Sequence, residues 1–188
     1  MEKTILICDD EPFTRTSLRG MLLDLGFGEV LECGDGKMAV EMACSSFPDM
    51  AILGVSMPGM DGITVATKIR DRLKIPIVLL TSDCDKATVK RALAGGVAAF
   101  LTKPLRKQDL LPAIESSLKH SEEIENLKEK IEDLRENIED RKIIERAKGL
   151  LMEKNHYSEA AAYRSIQKAA MDKRKTLRQV ADLILKGC

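Results

Sequence analysis

Five short apolar runs, separated by segments of helical periodicity, constrain this chain more than any other feature. They are Ile5-Leu6-Ile7-Cys8, Val30-Leu31, Met50-Ala51-Ile52-Leu53, Ile77-Val78-Leu79-Leu80 and Ala98-Ala99-Phe100-Leu101, and they begin 20–27 residues apart. Continuous apolar character suits strands covered on both faces, as in a parallel sheet. Between the runs, Leu18, Leu22 and Leu25 recur at i, i+4 and i+7, after Pro12 and before Gly26. Met38 and Met42 mark a second helix, and Ile63, Ala66, Ile69 and Leu73 a third. Val89, Leu93 and Ala94 mark a fourth before Gly95-Gly96. Strands alternating with helices in this way predict an α/β doubly wound domain of five parallel strands over residues 1–120. Ligands of such a sheet bind outside the carboxyl ends of its strands.

From about Leu110 the pattern is helical, and Gly149 is read as its stop. Ile124, Leu127, Ile131, Leu134 and Ile138 are spaced 3, 4, 3, 4, which is a coiled-coil seam about two heptads long. Its flanking charges leave parallel and antiparallel pairing both open. The expectation is a dimerising coiled-coil linker over residues 121–140, against the plainer reading of an amphipathic helix packed on its own chain. Residues 141–188 are expected to form a small all-α unit of three helices, the first continuing the long one. Ser158 is an N-cap for a helix over Glu159–Met171, and Thr176-Leu177-Arg178-Gln179 has the form of a capping box.

Charge separates the same parts. Thirty basic and thirty acidic residues cancel, which excludes a uniformly basic nucleic-acid coat. Yet the net charge is −2 over residues 1–118, −5 over 119–140 and +7 over 141–188. A basic C-terminal module points to an anionic partner, or to a solvated basic face. No apolar run approaches the ~20 residues needed to cross a bilayer. The five cysteines (8, 33, 44, 84 and 188) are odd in number and lack a CxxC pair, so free thiols in a cytoplasmic protein are expected.

Asp9 and Asp10 follow the first run directly, which places them at the carboxyl end of a strand, where paired carboxylates suit one Mg²⁺ ion. Thr81 ends the fourth run and Lys103 follows the fifth. A hydroxyl and an ammonium converging on a cation site suit a phosphoryl group. With these residues in view, residues 1–120 resemble the receiver domain of two-component response regulators, a flavodoxin-like fold. The matching pieces are Cys8-Asp9-Asp10-Glu11-Pro12, Met57-Pro58-Gly59-Met60-Asp61-Gly62, Leu80-Thr81-Ser82 and Leu101-Thr102-Lys103-Pro104. The resemblance implies Mg²⁺ at Asp9 and Asp10, phosphoryl contacts from Thr81 and Lys103, and a state-following aromatic at Phe100. A sensor histidine kinase or a sequestering protein is the implied partner.

One position departs from that family. The phosphoacceptor aspartate of a receiver ends the third strand, three residues before Met57-Pro58, and here that residue is Gly54. Glycine can neither form an acyl phosphate nor ligate the cation, so any Mg²⁺ site is weakened. Ser56 is two residues away, but a serine ester is not receiver chemistry. The chain is then either a receiver that has naturally lost phosphate uptake or a variant of a phosphorylatable parent.

In the basic module, Glu145-Arg146-Ala147-Lys148-Gly149-Leu150-Leu151-Met152, Ala161-Ala162-Tyr163-Arg164 and Ala169-Ala170-Met171 follow in order. Over about residues 140–186 they resemble the ANTAR domain, an RNA-binding output module of bacterial antitermination regulators. The resemblance implies a dimer that binds paired hairpins of structured leader RNA, prevents terminator formation and lets transcription continue. Arg146, Lys148, Lys154, Arg164, Lys168, Lys173, Arg174 and Arg178 are the candidate RNA-binding cations, and Tyr163 is a candidate stacking platform or a core residue. The competing readings are a DNA-binding response regulator and an interaction protein sequestered by a partner. An enzyme is not expected, because Ser, His and Asp assemble into no hydrolytic pattern and His120 and His156 lie outside the acidic cluster.

Overall fold

A computed structural model describes residues 3–82 and 86–186, with Lys86 and Leu93 described by backbone alone. The described residues divide into two compact units, one up to Ile124 and one from Glu125 onward. The first contains β1 (Thr4–Cys8), α1 (Pro12–Asp24), β2 (Glu29–Cys33), α2 (Gly36–Ser46), β3 (Met50–Gly54), α3 (Gly62–Arg70), β4 (Ile77–Thr81), α4 (Lys86–Ala94) and β5 (Ala99–Thr102). Helix α5 (Lys107–Asn155) begins in this unit, and α6 (Glu159–Lys173) and α7 (Leu177–Lys186) belong to the second.

The strands form one parallel sheet in the order β2-β1-β3-β4-β5. Side chains alternate across it, as the two-residue period of a strand requires. Leu6, Cys8, Ala51, Leu53 and Leu79 pack with Val40 and Ala43 of α2, Val65 and Ile69 of α3 and Ala92 of α4. Ile5, Ile7, Ile52, Val78 and Leu80 pack on the other face with Leu18 and Leu22 of α1 and Leu110 and Ile114 of α5. Burial on both faces is why these strands read as continuous apolar runs. The chain leaves β1 for one edge and returns to β3 on the other side, so the carboxyl ends of β1 and β3 flank the topological switch point.

The capping chemistry is local and clear. Asp35 accepts from the Lys37 and Met38 amides to start α2, and Asp61 accepts from Ile63 and Thr64 to start α3. Gly62 is obligatory, because a Cβ there would lie 2.0 Å from the Gly54 carbonyl oxygen. Leu73 falls beyond the end of α3, in the turn that follows, and packs from there on the core.

In the second unit, Ala147 of α5, Ile166 and Ala170 of α6 and Val180 and Ala181 of α7 form one core. Ser158 caps α6 through the Ala161 amide. Thr176 and Gln179 exchange both bonds of the capping box, Thr176 N to Gln179 Oε1 at 3.1 Å and Gln179 N to Thr176 Oγ1 at 3.2 Å. The expected stop at Gly149 is corrected. Helix α5 runs through it to Asn155, with Ala147 and Leu151 packed in the core on either side, and ends before His156, whose φ of 54° is left-handed. Pro112, near the start of α5, does not break it either. Cys8, Cys33 and Cys44 are free thiols; Cys84 and Cys188 lie outside the described residues.

Candidate functional site

Asp9 leaves the end of β1 with its side chain fully buried. Its Oδ1 accepts from the Glu11 amide at 3.1 Å and from Lys103 Nζ at 3.0 Å, and its Oδ2 lies 2.9 Å from the same ammonium. Lys103 is fixed just past β5 by its amide, which donates to the Thr81 carbonyl at 2.9 Å. Its Nζ also donates to Glu11 Oε2 at 3.1 Å, and that carboxylate accepts from Thr14 Oγ1 at 2.7 Å. Burial pulls the Lys103 pKa down, but the hydrogen bonds to Asp9 and Glu11 outweigh it, and the net shift is upward. Glu11 is held below its ordinary value by Thr14 first and Lys103 second. Neither Glu11 nor Arg15 stood out in the sequence, although Arg15 braces the strand end by donating to the Asp9 carbonyl at 2.8 Å.

Gly54 ends β3 beside this carboxylate. A Cβ built on it would lie 2.6 Å from Asp9 Oδ2 and 3.2 Å from its Cγ. Asp9 therefore occupies the space that any side chain at position 54 would need. Thr81 is buried at the end of β4, and Phe100 of β5 is half-buried against the core formed with α2 and α3. Asp10 points to solvent. The donor set does not fit Mg²⁺ as arranged: one buried carboxylate already shares both oxygens with an ammonium, and the second is turned outward. Among the described residues no cluster of three metal-ligating side chains exists.

In the helical unit the structure divides the predicted RNA-binding cations. Lys148 is buried, with Nζ 2.7 Å from Glu145 and 2.8 Å from Glu159. The hydrogen bonds it donates to Glu145 and then Glu159 raise its pKa. Arg178 is paired with Asp140 and, at 3.8 Å, with Asp182. These two tie α5, α6 and α7 together, so their charge is already answered within the fold. Arg146, Lys154, Arg164, Lys168, Lys173 and Arg174 are exposed. Arg164 Nε donates to the Ala160 carbonyl at 3.2 Å. Tyr163 is 38% exposed and lines a cavity of about 670 Å³ with Arg141, Ile144, Glu145 and Lys148, so it is not a core residue. The seam residues Ile124, Leu127, Ile131, Leu134 and Ile138 are all exposed.

A doubly wound sheet with its acidic residue at the switch point defines a receiver-type domain. The response regulator receiver domain family matches over residues 5–115, and the ANTAR domain family over residues 132–185. The chain belongs to the response regulators that join a receiver domain to an ANTAR domain. It is 42% identical over 183 residues to the transcriptional regulatory protein PdtaR of Mycobacterium tuberculosis, covering 97% of this chain and 89% of that one. It is 31% identical over 123 residues to the DNA-binding response regulator MtrA of Mycolicibacterium smegmatis, covering 65% of this chain and 54% of that one. The receiver domain of the response regulator NarL from Mycobacterium tuberculosis superposes with a TM-score of 0.60 at 32% identity, covering 63% of this chain and 97% of that one. Among the described residues no helix is long and apolar enough to cross a membrane.

Proposed function

We propose that this response regulator is a cytoplasmic transcription antitermination factor whose module at 141–188 binds paired hairpins of nascent leader RNA. It acts as a dimer through Ile124, Leu127, Ile131, Leu134 and Ile138, so that two modules meet two hairpins and the second contact benefits from a raised effective concentration. The observation that carries the reading is the exposed cationic set Lys168, Lys173 and Arg174, which makes no ion pair among the described residues, on a unit matched by the ANTAR family. Phosphate contacts of this kind give salt-dependent affinity.

The receiver unit takes no phosphate. Gly54 supplies no acceptor, and Lys103, the cation that would meet a phosphoryl group, is satisfied by Asp9 and Glu11. Control then passes through a protein partner, such as a kinase or a sequestering protein, or through abundance. A DNA-binding output is disfavoured because the similarity to the DNA-binding relative extends over 123 residues, against 183 for the ANTAR-type relative. Gel shifts of the full-length protein on structured leader RNA and on its DNA copy test this. RNA-selective binding that weakens with salt is expected. Preference for the DNA copy, or binding to neither, overturns the proposal.

A further inference from the structure

The outer face of α6 carries a feature that phosphate binding leaves unexplained. Tyr163, Gln167 and Met171 follow at i, i+4 and i+8, beside the buried line Ala162, Ile166 and Ala170. They form one solvent-facing stripe. Met171 is 80% exposed and stands next to the exposed Gln167 and Tyr163 on this stripe. The Gln167 amide makes no hydrogen bond among the described residues. The stripe links two concavities. Tyr163 lines the cavity of about 670 Å³, while Gln167 and Met171 line one of about 510 Å³ with Lys175 and Leu177. Five of the thirteen residues 163–175 are basic and one is acidic. Lys168, Lys173, Arg174 and Lys175 are exposed and without an ion pair among the described residues.

We infer that this stripe is the base-reading face of the module, a deeper form of the RNA-binding reading and dependent on it. The cationic rim selects a polyanion, and the stripe supplies what sequence readout needs. Specific RNA recognition uses bases splayed out of a loop, stacked on flat or apolar side chains and hydrogen-bonded at their edges. Tyr163 and Met171, eight residues apart on the helix, are about 12 Å apart along its axis, far wider than the ~3.4 Å of stacked bases. Tyr163 and Met171 therefore each take a separate unstacked loop base. Gln167 lies between them with one carbonyl and one amino group free. That pair matches the edge of adenine, accepting from its N6 amino group and donating to a ring nitrogen. Lys168 and Lys175 meet the phosphates on either side.

The test uses the full-length dimeric protein and a pool of stem–loop RNAs with randomised loops, from which tight binders are selected. Affinities for a selected RNA are then measured by fluorescence anisotropy. Tyr163→Leu and Met171→Ala each weaken binding about tenfold, the effect of a lost base contact, whereas Tyr163→Phe binds as the parent does. Replacing one loop adenine by purine riboside, which lacks the N6 amino group, weakens the parent about tenfold and leaves Gln167→Ala unaffected. All three side chains are exposed or nearly so, and unchanged circular dichroism confirms that the variants fold. Retained affinity in the stripe variants, with affinity lost in Lys168→Ala and Lys175→Ala, overturns the stripe and leaves RNA binding standing. Variants that change the sedimenting mass but not the RNA affinity identify a protein-docking face and overturn it too. A pool from which the parent selects nothing overturns both readings.

Discussion

Restoring a carboxylate at position 54 tests whether the receiver pocket has merely lost its acceptor or has closed around the loss. A Cβ at Gly54 would meet Asp9 Oδ2 at 2.6 Å, and Asp9 is buried and held by Lys103 and the Glu11 amide. The short side chain has nowhere to swing without breaking those bonds. Gly54→Ala isolates the steric part, and overpacking of this kind costs about 2 kcal/mol. For a unit of this size that is a fall of about 8 °C in Tm. Gly54→Asp adds a like charge beside Asp9, worth about 4 kcal/mol for a ~4 Å separation at an effective dielectric near 20, and so melts lower still in chelator. It also supplies the missing oxygen ligand. Mg²⁺ at one hundred times its dissociation constant then returns about 2.7 kcal/mol. The assay is scanning calorimetry of the parent, Gly54→Ala and Gly54→Asp, each in chelator and in Mg²⁺, with phosphate incorporation from a small phosphodonor measured for Gly54→Asp. The expected pattern is a Mg²⁺-dependent rise and phosphate uptake in Gly54→Asp alone. A parent that gains as much from Mg²⁺, or a Gly54→Ala variant that melts with the parent, refutes the reasoning.

Lys103→Met leaves Asp9 buried without its cation and lowers stability by about 3 kcal/mol in urea titrations at neutral pH. The Lys103 pKa is raised in the folded state, so its contribution is complete below the ordinary lysine value of 10.5 and is lost as pH climbs through the raised one; the parent and Lys103→Met curves should converge only above that raised value. Leu127→Asp with Leu134→Asp gives a monomer by sedimentation and weakens binding to a two-hairpin RNA more than to a single hairpin. Lys173→Ala reduces the slope of log affinity against log salt by about 0.7–0.9. Lys148→Met leaves that slope unchanged and lowers the melting temperature of the helical unit instead.

The parallel sheet was legible because burial on both faces writes itself as unbroken apolar runs, and the caps at Ser158 and Thr176 because their bonds close within three residues. Gly149 misled for the opposite reason. Local propensity favours a stop there, but Ala147 and Leu151 pack into the core of α6 and α7 and carry the helix through. The fate of the charges was equally hidden. Lys148 finds Glu159 eleven residues on, Arg178 finds Asp140 thirty-eight residues back, and Lys103 finds Asp9 across ninety-four. Position along the chain said that Asp9 and Lys103 converge, but not that they neutralise each other. The spacing of Ile124 to Ile138 fits a seam, but its flanking charges conflict and leave the orientation open.

The two neutralisations act in opposite directions on function. In the receiver unit, Lys103 is already held by Asp9 and Glu11, and a ligand shifts an equilibrium only through unequal affinity for its two states. Under the proposed function, occupancy of the RNA would then be set by how much dimer exists and by what covers the receiver surface. In the helical unit, Glu145, Glu159, Asp140 and Asp182 absorb Lys148 and Arg178 at the packing interfaces of α5, α6 and α7. Among the described residues, the unanswered positive charge includes Lys168, Lys173, Arg174 and Lys175 on α6 and the turn after it, with Arg141 and Arg146 on α5 and Lys186 on α7. Under the proposed function, the cations nearest Tyr163, Gln167 and Met171 would act on a polyanion through their placement more than through the module's summed charge.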